Sequence, residues 1–335
     1  MKILIAPMNW GLGHATRCIP LIERYVRDGA EVVLAGDGES LTLLRRRYPK
    51  LRTINLAELN LRYSARKQQV GATLMSIPKL VLWTLKDHYI LKGVLATEHF
   101  DRVISDNRFG CYLNFMPEKP DNPRPVQTVY ITHQLMIKMP WWLGWLEPIM
   151  ANVHRHIIKR YSQCWIPDNA GEDNLSGDLS HKYRLPKNAL FIGPLSRFNY
   201  YLPEKNDAET AKTVYPVVAV LSGLEPQRTM FEKDIIKEYE GKEQQVLIVR
   251  GKVDDPKCEI KHDNITLVPW MDDKELVPLL LSAELIIARS GYTTLMDLQS
   301  IGCLDKARLV PTPGQTEQEY LAKWLQTRRS ERKTI

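Results

Sequence analysis

The stretch Leu285-Ile-Ile-Ala-Arg-Ser-Gly-Tyr-Thr-Thr-Leu-Met-Asp297 decides how the rest of the chain is interpreted. Its four leading apolar residues predict a short buried strand, Arg289-Ser290-Gly291 interrupt the run, and a helix is predicted to follow. A glycine turn between a strand and a helix exposes unpaired backbone N–H groups at the positive end of the helix dipole, where phosphate binds well. Asp297 lies one helical turn beyond Thr293, where its carboxylate could accept hydrogen bonds from a ribose diol. Because such turns also occur as purely structural features of α/β proteins, this turn alone does not establish a phosphate site.

The composition is that of a soluble protein with more than one domain. The chain has 335 residues, 44% hydrophobic and 25% charged, a length that suits two domains of roughly 100–200 residues each. No run approaches the roughly 20 apolar residues of a membrane span. Residues 1–7 predict a strand, and the polar residues that follow interrupt the apolar run too early for a signal peptide. We therefore expect a cytoplasmic protein.

No metal site is predicted. The five cysteines have no CxxC spacing, and the acidic pairs of the sequence fall in predicted loops and at helix starts. The chain also lacks a Walker A lysine pattern, which argues against an ATPase.

Positive charge is concentrated in the first part of the chain. Residues 1–195 contain 26 Lys and Arg against 17 Asp and Glu, a balance of +9, whereas the remaining residues contain 20 against 22, a balance of −2. This asymmetry predicts that the first part meets an anionic partner. Since no nucleic-acid-binding module is recognisable, we expect an acidic acceptor or an anionic membrane surface rather than nucleic acid.

The segment from Leu135 to Tyr161 combines tryptophans with cationic residues. Trp141, Trp142 and Trp145 are followed by histidines, arginines and a lysine. This pattern suits contact with a membrane interface or a lipid acceptor, and it equally suits a helix that buries one apolar face against the protein.

Strand and helix patterns alternate along the chain, which predicts an α/β protein with parallel sheets covered on both faces. We expect a first domain at residues 1–195, a polar linker at 196–215 and a second domain at 216–335, whose last helix could return to the first domain. Ligands of doubly wound sheets gather at the carboxyl ends of the strands. In the first domain this rule selects the 9–14 loop and, after the later strands, Asp106, Asn107 and His133.

The 9–14 loop has two interpretations. Gly11-x-Gly13 after the first strand, with Asp37 near the spacing of a ribose carboxylate, fits a dinucleotide-binding fingerprint, although Thr16 occupies the place of its third glycine. His14 is not required by that fingerprint. A neutral imidazole at this position could accept the proton of an attacking hydroxyl, or it could cap or pack against the helix.

The second domain contains a second glycine turn. Ser222-Gly223, like Ser290-Gly291, follows a predicted strand and precedes a predicted helix, and the two turns together could cradle a diphosphate. Glu317-Gln318 begins a third helix within reach of the same edge if the sheet is doubly wound.

Four motifs occur in a characteristic order: Gly11-Leu-Gly-His-Ala-Thr-Arg17, Ser222-Gly-Leu-Glu-Pro-Gln-Arg228, Arg289-Ser-Gly-Tyr-Thr-Thr-Leu-Met-Asp297 and Pro311-Thr-Pro-Gly-Gln-Thr-Glu-Gln318. As a set they resemble glycosyltransferase family 28, which includes the bacterial peptidoglycan N-acetylglucosaminyltransferase and plant monogalactosyldiacylglycerol synthase. The resemblance covers nearly the whole chain. It implies a GT-B fold, in which two Rossmann-like domains with doubly wound parallel sheets face each other across a cleft.

The resemblance also implies roles for individual residues. In this family the C-terminal domain binds a nucleotide-sugar donor without a metal or other cofactor, and the N-terminal domain binds the acceptor. His14 matches a histidine near the reaction centre. The residues that match donor-binding positions of the family are Gly13, Ser222, Gly223, Leu224, Met271, Arg289, Ser290, Gly291, Tyr292, Thr293, Asp297, Glu317 and Gln318.

Three of these matches carry specific contacts in the family. Met271 falls where the backbone reads the nucleotide base, and Glu317 and Gln318 match residues that hold the sugar hydroxyls. Asp297 matches the acidic residue on the ribose, which is more often a glutamate, so this side chain is one methylene shorter than usual.

The expected function is therefore transfer of a hexose or N-acetylhexosamine from a UDP-sugar, with inversion, to a hydroxyl of a lipid-linked or cell-envelope acceptor. We expect Asp106, Asn107, His133 and the three tryptophans to contact the acceptor, and the protein to be cytoplasmic or peripheral on the inner face of a membrane. Two alternatives remain open: a UDP-sugar epimerase or hydrolase of the same fold, and a non-catalytic sugar-nucleotide-binding protein.

Overall fold

The structure is a computed structural model, and it describes residues 1–58, 77–112, 126–202 and 215–333. The chain divides into two compact units. The first unit contains the described residues up to Leu195, and the second unit contains the described residues from Ser196 onward.

A seven-stranded, fully parallel sheet forms the centre of the first unit. Its order is β3-β2-β1-β4-β5-β6-β7. The strands are β1 Lys2–Pro7, β2 Glu31–Gly36, β3 Arg52–Asn55, β4 Arg102–Asp106, β5 Gln127–Ile131, β6 Gln163–Ile166 and β7 Ala189–Phe191. The central strand β1 is almost continuously apolar, as is typical of a strand buried on both faces.

Helices cover both faces of this sheet. They are α1 Gly13–Arg27, α2 Gly38–Arg47, α3 Ile77–Thr97, α4 Glu147–Ile158, which follows a 3₁₀ helix at Trp141–Leu146, and the short α5 Asp178–His181. The α1 helix packs on one face, where Ile19 and Ile22 meet apolar residues of β1 and β4. On the other face, Leu91 of α3 and residues around the end of α4 pack against Tyr130 of β5.

The second unit has a six-stranded sheet in the order β10-β11-β9-β8-β12-β13. Its strands are β8 Val217–Val220, β9 Val246–Val249, β10 Ile260–His262, β11 Ile265–Val268, β12 Leu285–Ala288 and β13 Ala307–Leu309. All neighbours are parallel except β10, which pairs antiparallel with β11 at the edge. The two doubly wound parallel sheets confirm the predicted α/β class.

Four α-helices connect or follow the strands of the second unit in the described residues. They are α6 Gln227–Tyr239, α7 Asp273–Ser282, α8 Tyr292–Ser300 and α9 Thr316–Lys333. Arg329 of α9 donates to the carbonyls of Ala307 and Leu304, so the last helix packs within the second unit.

The start of the expected linker is not an exposed connection. Residues 197–200 form a 3₁₀ helix, and Phe198 is buried in the apolar core of the second unit together with residues of α7 and α8. The segment is mostly polar and flanked by prolines, so its sequence did not indicate that Phe198 packs in the core. Residues 203–214 of the expected linker lie outside the described residues.

In the part of the chain that the structure describes, no helix is both long enough and apolar enough to cross a membrane.

Candidate active site

The strand order of the first unit reverses between β1 and β4. Helix α1 follows β1, and the next strands along the chain, β2 and β3, lie on one side of β1, whereas β4 lies on the other. A reversal of this kind leaves a crevice beyond the carboxyl ends of the two strands, where ligands of doubly wound sheets bind. His14, in the first turn of α1, and Asp106, the last residue of β4, both lie at this crevice.

A buried ionic network joins these two residues. Nδ1 of His14 lies 2.7 Å from Oδ1 of Asp106. Arg17, one turn further along α1, donates through its guanidinium to both oxygens of the same carboxylate. Arg17 and Asp106 are 1% and 0% exposed, whereas the His14 side chain retains 15% exposure. The imidazole is therefore the member of the network that a ligand can reach.

The charge on Asp106 fixes the tautomer of His14. Burial alone would raise the pKa of Asp106, but Arg17 and His14 outweigh it and lower the pKa to about 2. The carboxylate is thus ionised at neutral pH and accepts the hydrogen of Nδ1. Nη2 of Arg17 also lies 3.0 Å from Nδ1 of His14, but it is closer to Oδ1 of Asp106, and a lone pair on Nδ1 would face the ionised carboxylate oxygen at 2.7 Å. Nε2 then carries the lone pair, and no group among the described residues hydrogen-bonds to it. This arrangement is that of a general base oriented by a carboxylate.

His133 belongs to the same network. Nη1 of Arg17 lies 2.9 Å from Nδ1 of His133, at the carboxyl end of the neighbouring strand β5. A guanidinium can only donate, so Nδ1 of His133 must be the acceptor and its proton must reside on Nε2. The two histidines therefore hold opposite tautomers, and Arg17, which the sequence analysis gave no role, connects them.

The residues expected to contact the acceptor have different surroundings. Both carboxylate oxygens of Asp106 already have hydrogen-bond partners in Arg17 and His14. Asp106 would therefore affect an acceptor through the His14 imidazole and not by touching the acceptor itself. The Asn107 side chain points to the other face of the sheet, where its Oδ1 accepts a hydrogen bond of 2.9 Å from Tyr130.

The dinucleotide interpretation of the first glycine loop is not supported by the surroundings of Asp37. Its carboxylate is buried and lies 2.7 Å from the guanidinium of Arg108, which is itself fully buried and also bonded to Asp87. A ribose carboxylate must be open to the ligand, whereas Asp37 is part of an internal ion pair.

The three tryptophans are on the surface. Trp141, Trp142 and Trp145 are 93%, 55% and 68% exposed, and the 3₁₀ helix that carries them has no buried residue. The expectation that this segment buries an apolar face holds only for α4, where Ala151, His154 and Ile158 are buried. The tryptophans contribute nothing to the core.

In the second unit the strand order reverses between β8 and β12. These strands are parallel neighbours, with Val220 opposite Ala288, so the Ser222-Gly223 turn and the Ser290-Gly291 turn leave the same edge of the sheet side by side. Each turn leads into a helix, α6 or α8, whose N-cap residue makes no side-chain cap. In α6 the Glu225 carboxylate accepts from the N–H of Thr229 at 3.2 Å. The two predicted glycine turns are therefore adjacent within this unit.

The first of these turns has unoccupied donors. Gly223 has a φ of +99°, which glycine adopts without strain. In the described residues, neither the Ser222 hydroxyl nor the Gly223 N–H has a hydrogen-bond partner. Leu224 follows in the same half-buried turn. Unpaired donors in a turn that precedes a helix form an anion-binding arrangement.

Arg289 connects the backbone segments at this edge of the sheet. Its guanidinium donates to the backbone carbonyls of Gln227 and Pro311 and lies 3.9 Å over the ring of Phe231. It thereby connects the ends of β12 and β13 to the start of α6. Burial lowers the pKa of Arg289 to about 10, so the side chain stays charged at neutral pH. Its contacts are those of a cation that positions the turns.

The start of α9 lies at the same edge. The Ser290 hydroxyl donates to the carbonyl of Gln318 at 2.8 Å. The Gln318 carboxamide accepts from the N–H of Thr312 and donates to Gln315, so it orders the turn before α9. Glu317 occupies the second position of this helix.

The remaining predicted donor residues surround these turns. Tyr292 is buried, so its side chain belongs to the interior, and Thr293 is half-buried in the first turn of α8. Met271 follows β11 and packs partly against the core. Gly13 opens α1 in the first unit.

Asp297 has partners that the sequence did not indicate. Its Oδ1 accepts from the Ser196 hydroxyl at 2.8 Å, and its Oδ2 lies 3.4 Å from Nε of Arg197. The carboxylate is 5% exposed, and burial raises its pKa to about 6 against the opposing effect of Arg197. Its closest contacts are thus with the segment that begins the second unit, 101 residues away in sequence.

Residues 218–333 match the model of the glycosyltransferase family 28 C-terminal domain. The second unit is similar to the C-terminal domain of this family over nearly its whole described length. The match includes both glycine turns and the start of α9, and it confirms the resemblance drawn from the motifs. No curated protein matches the sequence.

Several solved structures share the fold of the chain at low sequence identity. The glycosyltransferase SnogD from Streptomyces nogalater has a TM-score of 0.55 and 14% identity, covering 97% of this chain and 85% of that one. The spinosyn rhamnosyltransferase SpnG has a TM-score of 0.55 and 15% identity, covering 96% and 84%. A Listeria monocytogenes protein assigned as a UDP-N-acetylglucosamine 2-epimerase has a TM-score of 0.55 and 12% identity, covering 98% and 89%. The fold is therefore GT-B.

Proposed function

We propose that the protein is an inverting, metal-independent glycosyltransferase that moves a hexose or N-acetylhexosamine from a UDP-sugar to an acceptor hydroxyl. The observation that carries the proposal is the His14–Asp106 pair, in which an ionised buried carboxylate directs the lone pair of Nε2 outward. The family of the second unit supports a nucleotide-sugar donor.

In the proposed reaction Nε2 of His14 accepts the proton of the acceptor hydroxyl. The hydroxyl oxygen attacks the anomeric carbon from the side opposite the diphosphate, the bond between that carbon and the diphosphate oxygen breaks, and UDP departs. Attack from the opposite side inverts the anomeric configuration. General-base assistance of this kind contributes about 10²–10⁴-fold to a rate.

The departing diphosphate needs positive electrostatic potential. The donors of the Ser222-Gly223 turn, the Ser290-Gly291 turn and the N-termini of α6 and α8 supply it, and the charge of Arg289 adds to it. Fixed donors of this kind stabilise the charge that develops on a leaving group, the task that a bound metal performs in other enzymes.

The remaining donor contacts follow the family pattern. We assign the nucleotide base to the backbone near Met271 and Leu224, and the sugar hydroxyls to Glu317 and Gln318. A ribose contact by Asp297 requires that a ribose hydroxyl replace Ser196 as its hydrogen-bond donor, because both carboxylate oxygens have partners in the free protein.

We further propose that the acceptor is lipid-linked and that the first unit contacts an anionic membrane surface. The three exposed tryptophans precede α4, which exposes Ile149 and Val153. Exposed Lys159 and Arg160 follow the end of this helix. Aromatic and aliphatic side chains beside cations are suited to the boundary between lipid tails and anionic head groups.

Helix α3 adds to this argument, because it packs on the same face of the sheet as α4 and exposes an apolar stripe of its own. The stripe consists of Val81, Leu82, Leu85, Tyr89 and Ile90. Exposed apolar surface on two helices of one face is more than isolated surface residues explain.

The same base could also activate water or act on the sugar of the donor itself, which corresponds to a UDP-sugar hydrolase or epimerase. Incubation with donor alone separates these reactions from transfer: the proposal predicts little free sugar and no epimer. Stoichiometric UDP binding with no turnover in the presence of any acceptor would instead indicate a non-catalytic binding protein.

The first experiment is a thermal-shift screen of nucleoside diphosphates followed by their sugar conjugates. We expect UDP and one or more UDP-sugars to raise the unfolding temperature, since a ligand that binds only the folded state stabilises it. Stabilisation by NAD and none by UDP would overturn the donor assignment.

A further inference from the structure

Arg17 is a buried cation in contact with the His14–Asp106 pair. Its side chain is 1% exposed, and its guanidinium donates to both oxygens of the Asp106 carboxylate, which is 0% exposed. The same guanidinium reaches His133 through Nη1 at 2.9 Å. Removing a charge from water is costly, and neutral N–H groups could also hold a carboxylate in place. The positive charge of Arg17 therefore needs an explanation of its own.

The charge of Asp106 acts on His14 in two opposite ways. It selects the tautomer with the lone pair on Nε2, but a carboxylate at 2.7 Å also favours the addition of a second proton to the pair. That proton would disable the base wherever it resides. On the imidazole it would occupy Nε2 itself. On the carboxyl group it would be donated to Nδ1, which leaves the ring hydrogen on Nε2. The lone pair on Nε2 thus exists only while the pair holds a single proton.

Two positive groups oppose the second proton. Arg17 neutralises the Asp106 carboxylate, and its Nη2 lies 3.0 Å from Nδ1 of His14. The first turn of α1 carries His14, so the positive end of the helix dipole lies beside the imidazole. Burial strengthens the effect of Arg17, because little water is present to screen its charge. An imidazolium would therefore be added beside an ion pair that is already neutral.

Among the described residues, the His14 ring has hydrogen-bond or ion-pair contacts with Asp106 and Arg17 alone. Other titratable groups face Asp106 or Arg17, or lie at the same edge of the sheet: His133, Tyr130, Cys18, Asp37 and Glu39. Asp37 is paired with Arg108, and burial raises the pKa of Tyr130 and of Cys18, so both stay neutral. The remaining charged residues on the strands and the helix around α1 lie at the opposite ends of those elements: Lys2, Glu31, Arg102, Arg45, Arg46 and Arg47. Arg17 is thus the cation that acts on the pair directly.

We propose that Arg17 keeps His14 usable as a base at neutral pH, because it prevents the His14–Asp106 pair from taking up a second proton. At 1% exposure Arg17 is a positioning residue that acts through Asp106 rather than on a substrate. The inference rests on the proposed function, in which His14 is the base. It predicts that the acid limit of activity depends on the charge at position 17.

The pH dependence of kcat/KM tests the proposal, because this quantity reports the ionisation of the free enzyme. Transfer to a lipid extract from the UDP-sugar selected by the thermal-shift screen is measured for wild type, Arg17→Gln and Arg17→Lys. Glutamine removes the charge but keeps an N–H donor for the buried carboxylate, whereas lysine keeps the charge. The matched control is Arg24→Gln, at a side chain that is 68% exposed on the same helix, roughly 15 Å further along its axis.

We expect the acid limb of the Arg17→Gln profile to lie about 1–3 pH units above that of wild type, the scale on which one nearby charge acts. The limb of Arg17→Lys should stay close to that of wild type, and the limb of Arg24→Gln should not move. A lower rate in Arg17→Gln with an unmoved limb would show that Arg17 is only structural and would overturn the proposal. A shift of equal size in Arg17→Lys or in Arg24→Gln would overturn it too, since neither change removes the charge beside Asp106.

A ¹⁵N NMR titration separates failure of this inference from failure of the proposed function, because it requires no turnover. The imidazole signals of His14 are identified by their absence from His14→Gln. Their titration midpoint should be higher in Arg17→Gln than in wild type by about 1–3 pH units. This shift in a protein that transfers no sugar would support the inference and contradict the transferase. Equal midpoints would contradict the inference even in an active enzyme. If Arg17→Gln does not fold, Arg17→Met, which is also uncharged, replaces it in both measurements.

Discussion

Nδ1 of His14 and Oδ1 of Asp106 lie 2.7 Å apart although 92 residues separate them in the sequence. The first turn of α1 carries one residue and the last position of β4 carries the other, and these elements meet where the sheet order reverses. The topology of the fold thus brings the two residues together, and Arg17 holds the Asp106 carboxylate in place by donating to both of its oxygens. The chemistry of the first unit follows from this contact.

Replacement of Asp106 by Asn should lower turnover by about 10²-fold or more. An uncharged amide no longer selects the Nδ1–H tautomer of His14 and leaves the buried Arg17 cation without its counter-ion. Steady-state kinetics should show the loss in kcat, while calorimetry should give an unchanged affinity for UDP, whose proposed site is in the second unit. Wild-type kcat in a folded D106N protein would remove Asp106 from the mechanism.

Replacement of Gly223 by Ala should weaken UDP binding by about 10-fold or more. At a φ of +99° a side chain strains the turn that presents its N–H groups. Gly241→Ala is the matched control, because Gly241 also has positive φ and lies after α6 in the same unit. Both variants should lose about 1 kcal/mol of stability, but only the first should lose affinity in a calorimeter. Equal affinities would argue against this turn as the diphosphate site.

Asp297 should make the stability of the second unit depend on pH. Burial raises its folded-state pKa to about 6 from 3.8, so protonation favours the folded state. This contribution is fully present below about pH 4 and is lost as the pH rises through 6. Differential scanning calorimetry between pH 4 and 7 should show a smaller pH dependence in Asp297→Asn than in wild type, by about 1–3 kcal/mol. Parallel curves would show that the carboxyl group titrates normally.

The tryptophans should govern membrane contact. The double variant Trp141→Ser/Trp145→Ser should lose most of its co-sedimentation with vesicles that contain phosphatidylglycerol, because the exposed aromatic surface supplies the apolar part of binding. UDP affinity should not change. Met230→Ser, an exposed apolar residue of the second unit, is the control and should sediment as wild type does. Binding of the double variant at wild-type level would exclude this surface.

Periodicity and apolar runs predicted most of the fold. The apolar runs Val246–Val249 and Ile265–Val268, for example, are strands of the second sheet, as runs of this length predict. Strand β6, Gln163–Ile166, was missed because it is short and mixes polar with apolar residues, and β10 was missed because all of its residues are exposed. Short strands with polar or exposed residues have little apolar pattern that a sequence could display.

The sequence predicted the parts of the candidate site that are formed by residues close together in the chain. Glycine turns and helix starts are short-range features, so the two turns of the second unit were found from spacing alone. The partners of Asp297 and Arg17 were not, because Ser196 is 101 residues from the first and Asp106 is 89 residues from the second. Contacts of that separation arise from topology, which the local pattern does not encode.

The most direct test of the account is transfer of labelled sugar from UDP-sugars to a lipid extract by wild type and by His14→Ala. The account predicts a labelled lipid product with wild type and about 10²–10⁴-fold slower formation with the variant, at unchanged UDP affinity and unfolding temperature. Product formation by His14→Ala at the wild-type rate would contradict it.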